Sequence, residues 1–286
     1  MAENYSSMWT ALRGYAFSQG WVDAAGVKTR FLHCGANGSP ALIMLHGIVG
    51  HAEAFIKNLG PHGQHFNCYA IDQLGNGYTD KPPIDCHIPL VADHVRDFMD
   101  AVGLKTASVM GTSFGSRVAA RFAVNHAHRV AKLILISPGG FRYHPALSER
   151  IYRASLKTIE DTSWQSIRSR LEGYMVDPSV VTDDYVACRQ AICQQPGYQE
   201  AMRRSLVSHS PEWGEYNLVR EDEYRSIQAP TLVVLGGRED ERAVEAGEIA
   251  DIVPNGRLYI MKNVGHWPYF ERPEEFNRIS LEFLRS

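Results

Sequence analysis

The sequence predicts an α/β protein: a mostly parallel sheet covered by helices on both faces. Three observations carry that expectation. Runs such as LIMLH (42–46) and LILIS (133–137) are continuously apolar, as befits strands buried on both sides. Such runs recur along the chain with helix-length stretches between them, the alternation that builds a parallel sheet. The first two runs are instead separated only by a tight turn, which marks an opening antiparallel hairpin.

Taken in order, WVDAAG (21–26) and VKTRFLHC (27–34) form that hairpin. ALIMLHG (41–47), FNCYAID (66–72), TASVMG (106–111), KLILISP (132–138), PTLVVLGG (230–237) and GRLYIMKN (256–263) supply six more strands, eight in all. Residues 88–103, 113–126, 241–252 and 272–285 are the helices between and after them; in the last, Phe276, Ile279, Phe283 and Leu284 repeat at near-helical spacing. From about 141 to 227 no strand pattern occurs, only helical periodicity broken by Pro178, Pro196 and Pro211. That is too long for a loop in a compact domain. The expected organisation is therefore a sheet domain made of 1–140 and 228–286, with 141–227 inserted as a helical cap that shapes a ligand pocket.

The net charge of −3 argues against a nucleic-acid partner, since phosphate binding wants a basic surface. No stretch has the roughly 18 apolar residues that span a bilayer, and the first 20 residues lack a basic start followed by an apolar run, so a cytoplasmic protein is expected. The five cysteines are odd in number and scattered, which suits reduced thiols. No metal-ligand spacing is complete: His62 and His65 have no third ligand, and with His126 and His128 they read as solvated. The expectation is a small-molecule substrate with no metal and no cofactor; a homodimer is compatible with it.

One constellation carries chemistry. Gly111-Thr112-Ser113-Phe114-Gly115 follows an expected strand and opens an expected helix. In that context G-x-S-x-G is a nucleophile elbow, a turn too tight for side chains at its flanks that lifts Ser113 to the carboxyl edge of the sheet. Serine needs a base. His266, in a loop after the last strand, is the best placed, whereas an idle Gly-rich turn would need no such partner. A base histidine needs an orienting carboxylate. Glu239 and Asp240 both follow the strand PTLVVLGG. The order Ser…acid…His matches the order found in α/β-hydrolases. The loop His46-Gly47-Ile48-Val49-Gly50 can offer the Ile48 N–H, which with that of Phe114 would form an oxyanion hole. The loop 72–79 is read as a turn shaping the sheet edge.

With these residues in place, the chain resembles the α/β-hydrolase superfamily over nearly its whole length, and within it the meta-cleavage product hydrolases, which break a carbon–carbon bond in ring-opened aromatic compounds. WVDAAGVKTRFLHCG, LILISPGG, VTDDYVACRQAI and GHWPYFERPEEFNRISLEFL carry that closer likeness. It implies an α/β-hydrolase fold, a catalytic triad of Ser113, Asp240 and His266 (the family spacing selects Asp240 over Glu239), and an arginine for the substrate carboxylate, here Arg189. Gly47, Thr112 and Trp267 would join Arg189 around the substrate. Thr112 and Ala54 stand where the family usually has asparagine, and HGIVG is shorter than the family's oxyanion loop. Without the resemblance, Arg189 would read as a surface charge paired with Asp183 or Asp184. A carboxylesterase for small esters is the competing expectation. A non-catalytic binding protein or a cofactor-free oxygenase on the same fold is the one outside hydrolysis.

Overall fold

The computed structural model describes residues 6–238 and 240–286; the side chains of residues 240–243 lie outside the described part. Among the described residues the strands are β1 (Phe17–Ala24), β2 (Val27–Cys34), β3 (Ala41–Leu45), β4 (Asn67–Ile71), β5 (Ala107–Thr112), β6 (Val130–Ile136), β7 (Thr231–Gly236) and β8 (Gly256–Met261). The helices are α1 (Ile56–Gly63), α2 (Ile88–Ala101), α3 (Phe114–Asn125), α4 (Pro145–Glu160), α5 (Trp164–Glu172), α6 (Asp183–Cys193), α7 (Tyr198–Ser205), α8 (Glu221–Ser226), α9 (Asp240–Ile252), α10 (Pro268–Glu271) and α11 (Pro273–Arg285).

One sheet runs β1-β2-β4-β3-β5-β6-β7-β8. β2 pairs antiparallel with β1 and with β4, and every later pairing is parallel. The eight strands and the mixed-to-parallel layout match the expectation. β1 starts earlier than predicted, at Phe17, because it pairs with β2 along its whole length from Phe17 opposite Cys34, and it ends at the turn Ala25-Gly26. Both turn residues have positive φ (52° and 87°), which matches the twist of a two-residue hairpin. The Asp23 carboxylate accepts the Gly26 N–H at 2.5 Å and closes the turn.

β3, β4, β5 and β7 are buried along their full length, and two apolar layers lie on either side of them. α2, α3, α8 and α9 contribute to one layer; α11 and α4 to α7 contribute to the other. Burying a Leu or Ile side chain is worth about 1.5–3 kcal/mol, so residues such as Leu42, Ile43, Leu45, Ile134 and Val234, all fully buried, hold the sheet between its helices. Between β6 and β7 the described chain contains only helices and turns, α4 to α8.

A charged cluster underlies the sheet edge. Arg30, buried on β2, pairs with both oxygens of Glu53 and with Asp72 at 3.2 Å. Asp72 also accepts the N–H groups of Ala52 (2.7 Å) and Tyr78 (2.8 Å), which ties the loops after β3 and β4 together. A Cβ on Gly77 would sit 2.1 Å from that carboxylate, so only glycine fits there. Loop 72–79 is thus the structural turn that was expected. His62 is not solvated, contrary to expectation. It is fully buried in α1, with Nδ1 bonded to Asn58 O (2.8 Å) and Nε2 to Ser280 Oγ (2.9 Å), joining α1 to α11.

Candidate active site

The backbone at Ser113 is strained. It lies between β5 and α3 with φ 52° and ψ −112°, a conformation costly for a residue with a Cβ. The strain is locked in by close approach on both sides. A Cβ on Gly111 would lie 2.1 Å from Gly115 O, and one on Gly115 would lie 2.2 Å from Leu45 O. Both glycines of the motif are therefore dictated by backbone contact. α3 begins at Phe114, one residue later than predicted, and the elbow occupies the difference.

The loop 46–50 folds against this turn. A methyl group on Gly47 would be 3.6 Å from Ser113 Cβ. The Gly50 N–H donates to Gly47 O at 3.1 Å, with Val49 between them at φ 53°. His46 braces the loop from beneath. Its Nδ1 bonds Gly47 O at 2.7 Å and its Nε2 accepts the Gln73 N–H at 3.1 Å. Burial drives its pKa down to about 3, so it stays neutral and structural.

His266 hangs between β8 and α10 and is fixed through its main chain. Its N–H donates to Tyr174 O at 2.7 Å, and the Ser137 hydroxyl donates to its carbonyl at 2.9 Å. The Tyr174 ring lies 5.7 Å from the imidazole and stacks on Trp267 at 4.7 Å and 15°. Glu271, buried, accepts N–H groups from Gly265 (2.8 Å), Val176 (3.0 Å) and Asp177 (2.9 Å). One carboxylate thereby joins the histidine loop to the 141–227 helices. Nothing in the sequence singled out Glu271; only its spacing from His266 could have drawn attention.

Ser113 and His266 line one cavity of about 440 Å³, together with Gly47, Ile48, Phe114 and Trp267. That is an ordinary volume for a small-molecule site. Asp240 opens α9 directly after β7, but its side chain, like the whole of Glu239, falls outside the described residues.

Arg189 is not a surface charge. It is 3% exposed, on α6. Asp183 pairs instead with Arg168, and Asp184 bonds Ser7 and Thr182. No carboxylate among the described residues pairs with Arg189. Its electrostatic neighbours are Tyr198, Cys193, Tyr185 and Tyr174, and it also acts on His46 and Tyr269. Thr112, fully buried, lies beside the Tyr269 hydroxyl. Among the described residues Tyr185 Oη and His51 Nε2 are buried without a hydrogen-bond partner, and Thr112 Oγ1 and Tyr269 Oη have at most one another. Arg189 and Thr112 do not themselves line the open cavity, but Ser113, next to Thr112, and Tyr174, a neighbour of Arg189, do.

His51, Glu53 and Cys188 bring potential ligand atoms within 4.8 Å of one another. Both Glu53 oxygens already face Arg30, however, so the carboxylate is committed to a guanidinium. Burial pushes the Cys188 thiol up to about 12 and Cys86 to about 11, the opposite of an activated nucleophile.

The family model described as alpha/beta hydrolase fold matches residues 40–273. The chain belongs to the α/β-hydrolase family. Within this family it is most like the meta-cleavage product hydrolases. A 2-hydroxy-6-oxo-6-phenylhexa-2,4-dienoate hydrolase of Comamonas testosteroni is 30% identical over 86% of this chain and 87% of its own. An enzyme of the same name from Burkholderia cepacia is 28% identical over 92% and 94%. Among solved structures, a carboxylesterase of Bacillus subtilis superposes with TM-score 0.77 at 25% identity, covering 97% of this chain and 95% of that one. This α/β-hydrolase is accordingly a hydrolytic enzyme. No described helix is long and apolar enough to cross a membrane.

Proposed function

We propose that this α/β-hydrolase uses Ser113 as nucleophile to cleave a carbon–carbon bond in a ring-fission product of the 2-hydroxy-6-oxo-dienoate type. The observation that supports this reading is the buried Arg189, which has no carboxylate partner among the described residues. A buried guanidinium lacking an anion is costly, and a substrate carboxylate would supply one in bidentate geometry. The buried hydroxyls of Tyr185 and Tyr269 lie near it as further hydrogen-bonding groups for the hydroxy-acid end. The relatives in Comamonas testosteroni and Burkholderia cepacia are named for substrates of this class.

In this reading the bound dienol ketonises first. His266 then takes the Ser113 proton, and Ser113 Oγ, or a water it activates, adds to the keto carbon. The resulting oxyanion receives hydrogen bonds from the Ile48 and Phe114 N–H groups. Its collapse breaks the carbon–carbon bond, with the electron pair leaving on the hydroxy-acid fragment. In the serine route, water then releases the acyl group from Ser113. Asp240 would hold His266 in the tautomer that presents an acceptor nitrogen to Ser113. Asp240→Asn should therefore lower kcat by about 10³-fold or more, and Glu239→Gln by far less. Steady-state kinetics of the two variants check this; the reverse ranking moves the acid to Glu239.

The second reading, a carboxylesterase, is favoured by the likeness to the Bacillus subtilis esterase and by Thr112 and Ala54, since an ester needs fewer polar contacts. One variant separates the two. Truncating a buried charge pair costs roughly 2–5 kcal/mol. Arg189→Ala should thus lower the ratio of kcat/KM for a ring-fission dienoate over 4-nitrophenyl butyrate by about 30-fold or more, at about 1.4 kcal/mol per decade. Assay of both substrates on both proteins measures the ratio. An unchanged ratio, with esters as the better substrates, leaves the carboxylesterase.

A further inference from the structure

Five described residues other than glycine hold a positive φ: Ala25, Val49, Ser113, Ser137 and Asn263. Two explain themselves, since Ala25 lies in the β1–β2 turn and asparagine tolerates this region. The other three follow β3, β5 and β6, which are neighbours in the sheet and parallel, so they gather at one edge. Ser113 is the elbow, and Ser137 donates to the His266 carbonyl. Val49 stands apart from both, because a β-branched residue at φ 53° is a backbone outlier.

The turn around Val49 is short and closed. The Gly50 N–H donates to Gly47 O at 3.1 Å, so Val49 is the third of four residues, the position where a type II turn takes glycine. A glycine there would adopt the same φ without strain. The valine is held instead by its side chain, 8% exposed and packed into the apolar layer of α11 and α4 to α7. Both ends of the turn are fixed as well. His46 Nδ1 bonds Gly47 O at 2.7 Å, and a Cβ on Gly50 would lie 2.6 Å from that nitrogen. Ile48, between Gly47 and Val49, lines the cavity with Ser113 and Phe114. Strain of this kind persists where the surroundings over-determine the backbone, and it collects at working sites.

We propose that Val49 is a positioning residue for the oxyanion hole: its buried side chain anchors the turn, and the anchored turn fixes the Ile48 N–H where the oxyanion forms. The proposal rests on the reading above for the role of that N–H. A donor held in place beforehand stabilises the developing charge without having to be oriented during the reaction. Glycine at position 49 keeps the φ and removes the anchor, which leaves the backbone between Gly47 and Gly50 more conformations to sample. The cost then falls on states that carry an oxyanion and spares those that do not. Isoleucine keeps both the branch and the anchor.

The test uses two inhibitors, 1-phenylpropan-2-one and its counterpart 1,1,1-trifluoro-3-phenylpropan-2-one. The first binds as a ketone. The second is attacked at its carbonyl carbon by Ser113 Oγ, whose proton passes to His266; the carbonyl electron pair moves to oxygen, and a hemiketal oxyanion results. In Val49→Gly the inhibition constant of the trifluoromethyl ketone should rise about tenfold or more, while that of the plain ketone stays within about twofold. For 4-nitrophenyl butyrate, kcat should fall about tenfold or more at nearly constant KM. Val49→Ile should stay within about threefold of wild type on every measure. Should Val49→Gly fail to fold, Val49→Asn tolerates the same φ, lacks the apolar branch and carries the same expectation. Loosening of the whole site would weaken both inhibitors alike, and their ratio is read within one folded protein. Unchanged constants for both inhibitors, or equal losses for both, overturn the proposal. If the wild-type protein itself binds the trifluoromethyl ketone no more tightly than the ketone, no oxyanion forms on Ser113, and it is the serine-nucleophile reading that fails, taking the proposal with it.

Discussion

Ser113→Ala should lower kcat by about 10⁴-fold or more, because the proposed mechanism forms its covalent intermediate on Ser113 Oγ. Folding should be intact, since the alanine keeps the Cβ and the surrounding glycine contacts. A glycine at the same position makes the test sharper. Ser113 holds φ at 52°, and strain of that kind costs on the order of 1–3 kcal/mol. Ser113→Gly should be equally inactive yet more stable than Ser113→Ala by about 1 kcal/mol, read by urea unfolding. Strain and chemistry would then separate at a single position. A serine-directed fluorophosphonate should label the wild-type protein at Ser113. Label elsewhere, or more than a few per cent of activity in the alanine variant, removes Ser113 from its role.

The largest effect on stability is expected at Arg30. Its guanidinium holds two carboxylates, Glu53 and Asp72, in a buried cluster. Burial alone would raise the Glu53 carboxyl, but hydrogen bonds from His51 and Arg30 hold it well below the usual range. Arg30→Met keeps much of the volume and strands both acids. Breaking one side of a buried pair costs about 3–5 kcal/mol, which for a chain of this size lowers Tm by on the order of 10 °C. The pH dependence gives the mechanism. In the wild type the depressed Glu53 contributes stability above its unfolded pKa, and that contribution disappears as pH falls through the folded pKa. In the variant the stranded acids have raised folded pKa values, so they take up protons more readily folded than unfolded. The gap between the two proteins should therefore narrow from pH 7 to pH 5. A gap under about 1 kcal/mol, or one independent of pH, would show the cluster to be dispensable.

The strands and the elbow could be read from the sequence because their signals are local. ALIML and TLVVL are apolar at every step, and Gly111 and Gly115 flank Ser113 within five residues. The loop carrying His266 was found the same way, from its place after a strand. What escaped is long-range. Arg30, Glu53 and Asp72 come from β2 and two separate loops, and their pairing exists only once β2 and β4 lie side by side. α1 was missed because Pro61 reads as a breaker, yet that helix is anchored by His62 to Ser280, 218 residues away. From the residues alone Arg189 reads as a surface charge, and only the family resemblance puts it at the substrate. Its burial depends on how α6 lies among Tyr174, Tyr185 and Tyr198.

Glu271 sets a limit on how such an enzyme can breathe. Its two oxygens grip Gly265 on one side and Val176 and Asp177 on the other, and the His266 N–H reaches across the same seam to Tyr174. The wall over the cavity and the His266 loop beneath it are thus rivetted together at this corner. The far end of the lid, near α4, is free of that rivet. Any parting of the helices from the sheet domain would therefore be hinged at the Glu271 corner, with the α4 end as its swinging edge. A door hung this way keeps its hinge beside His266.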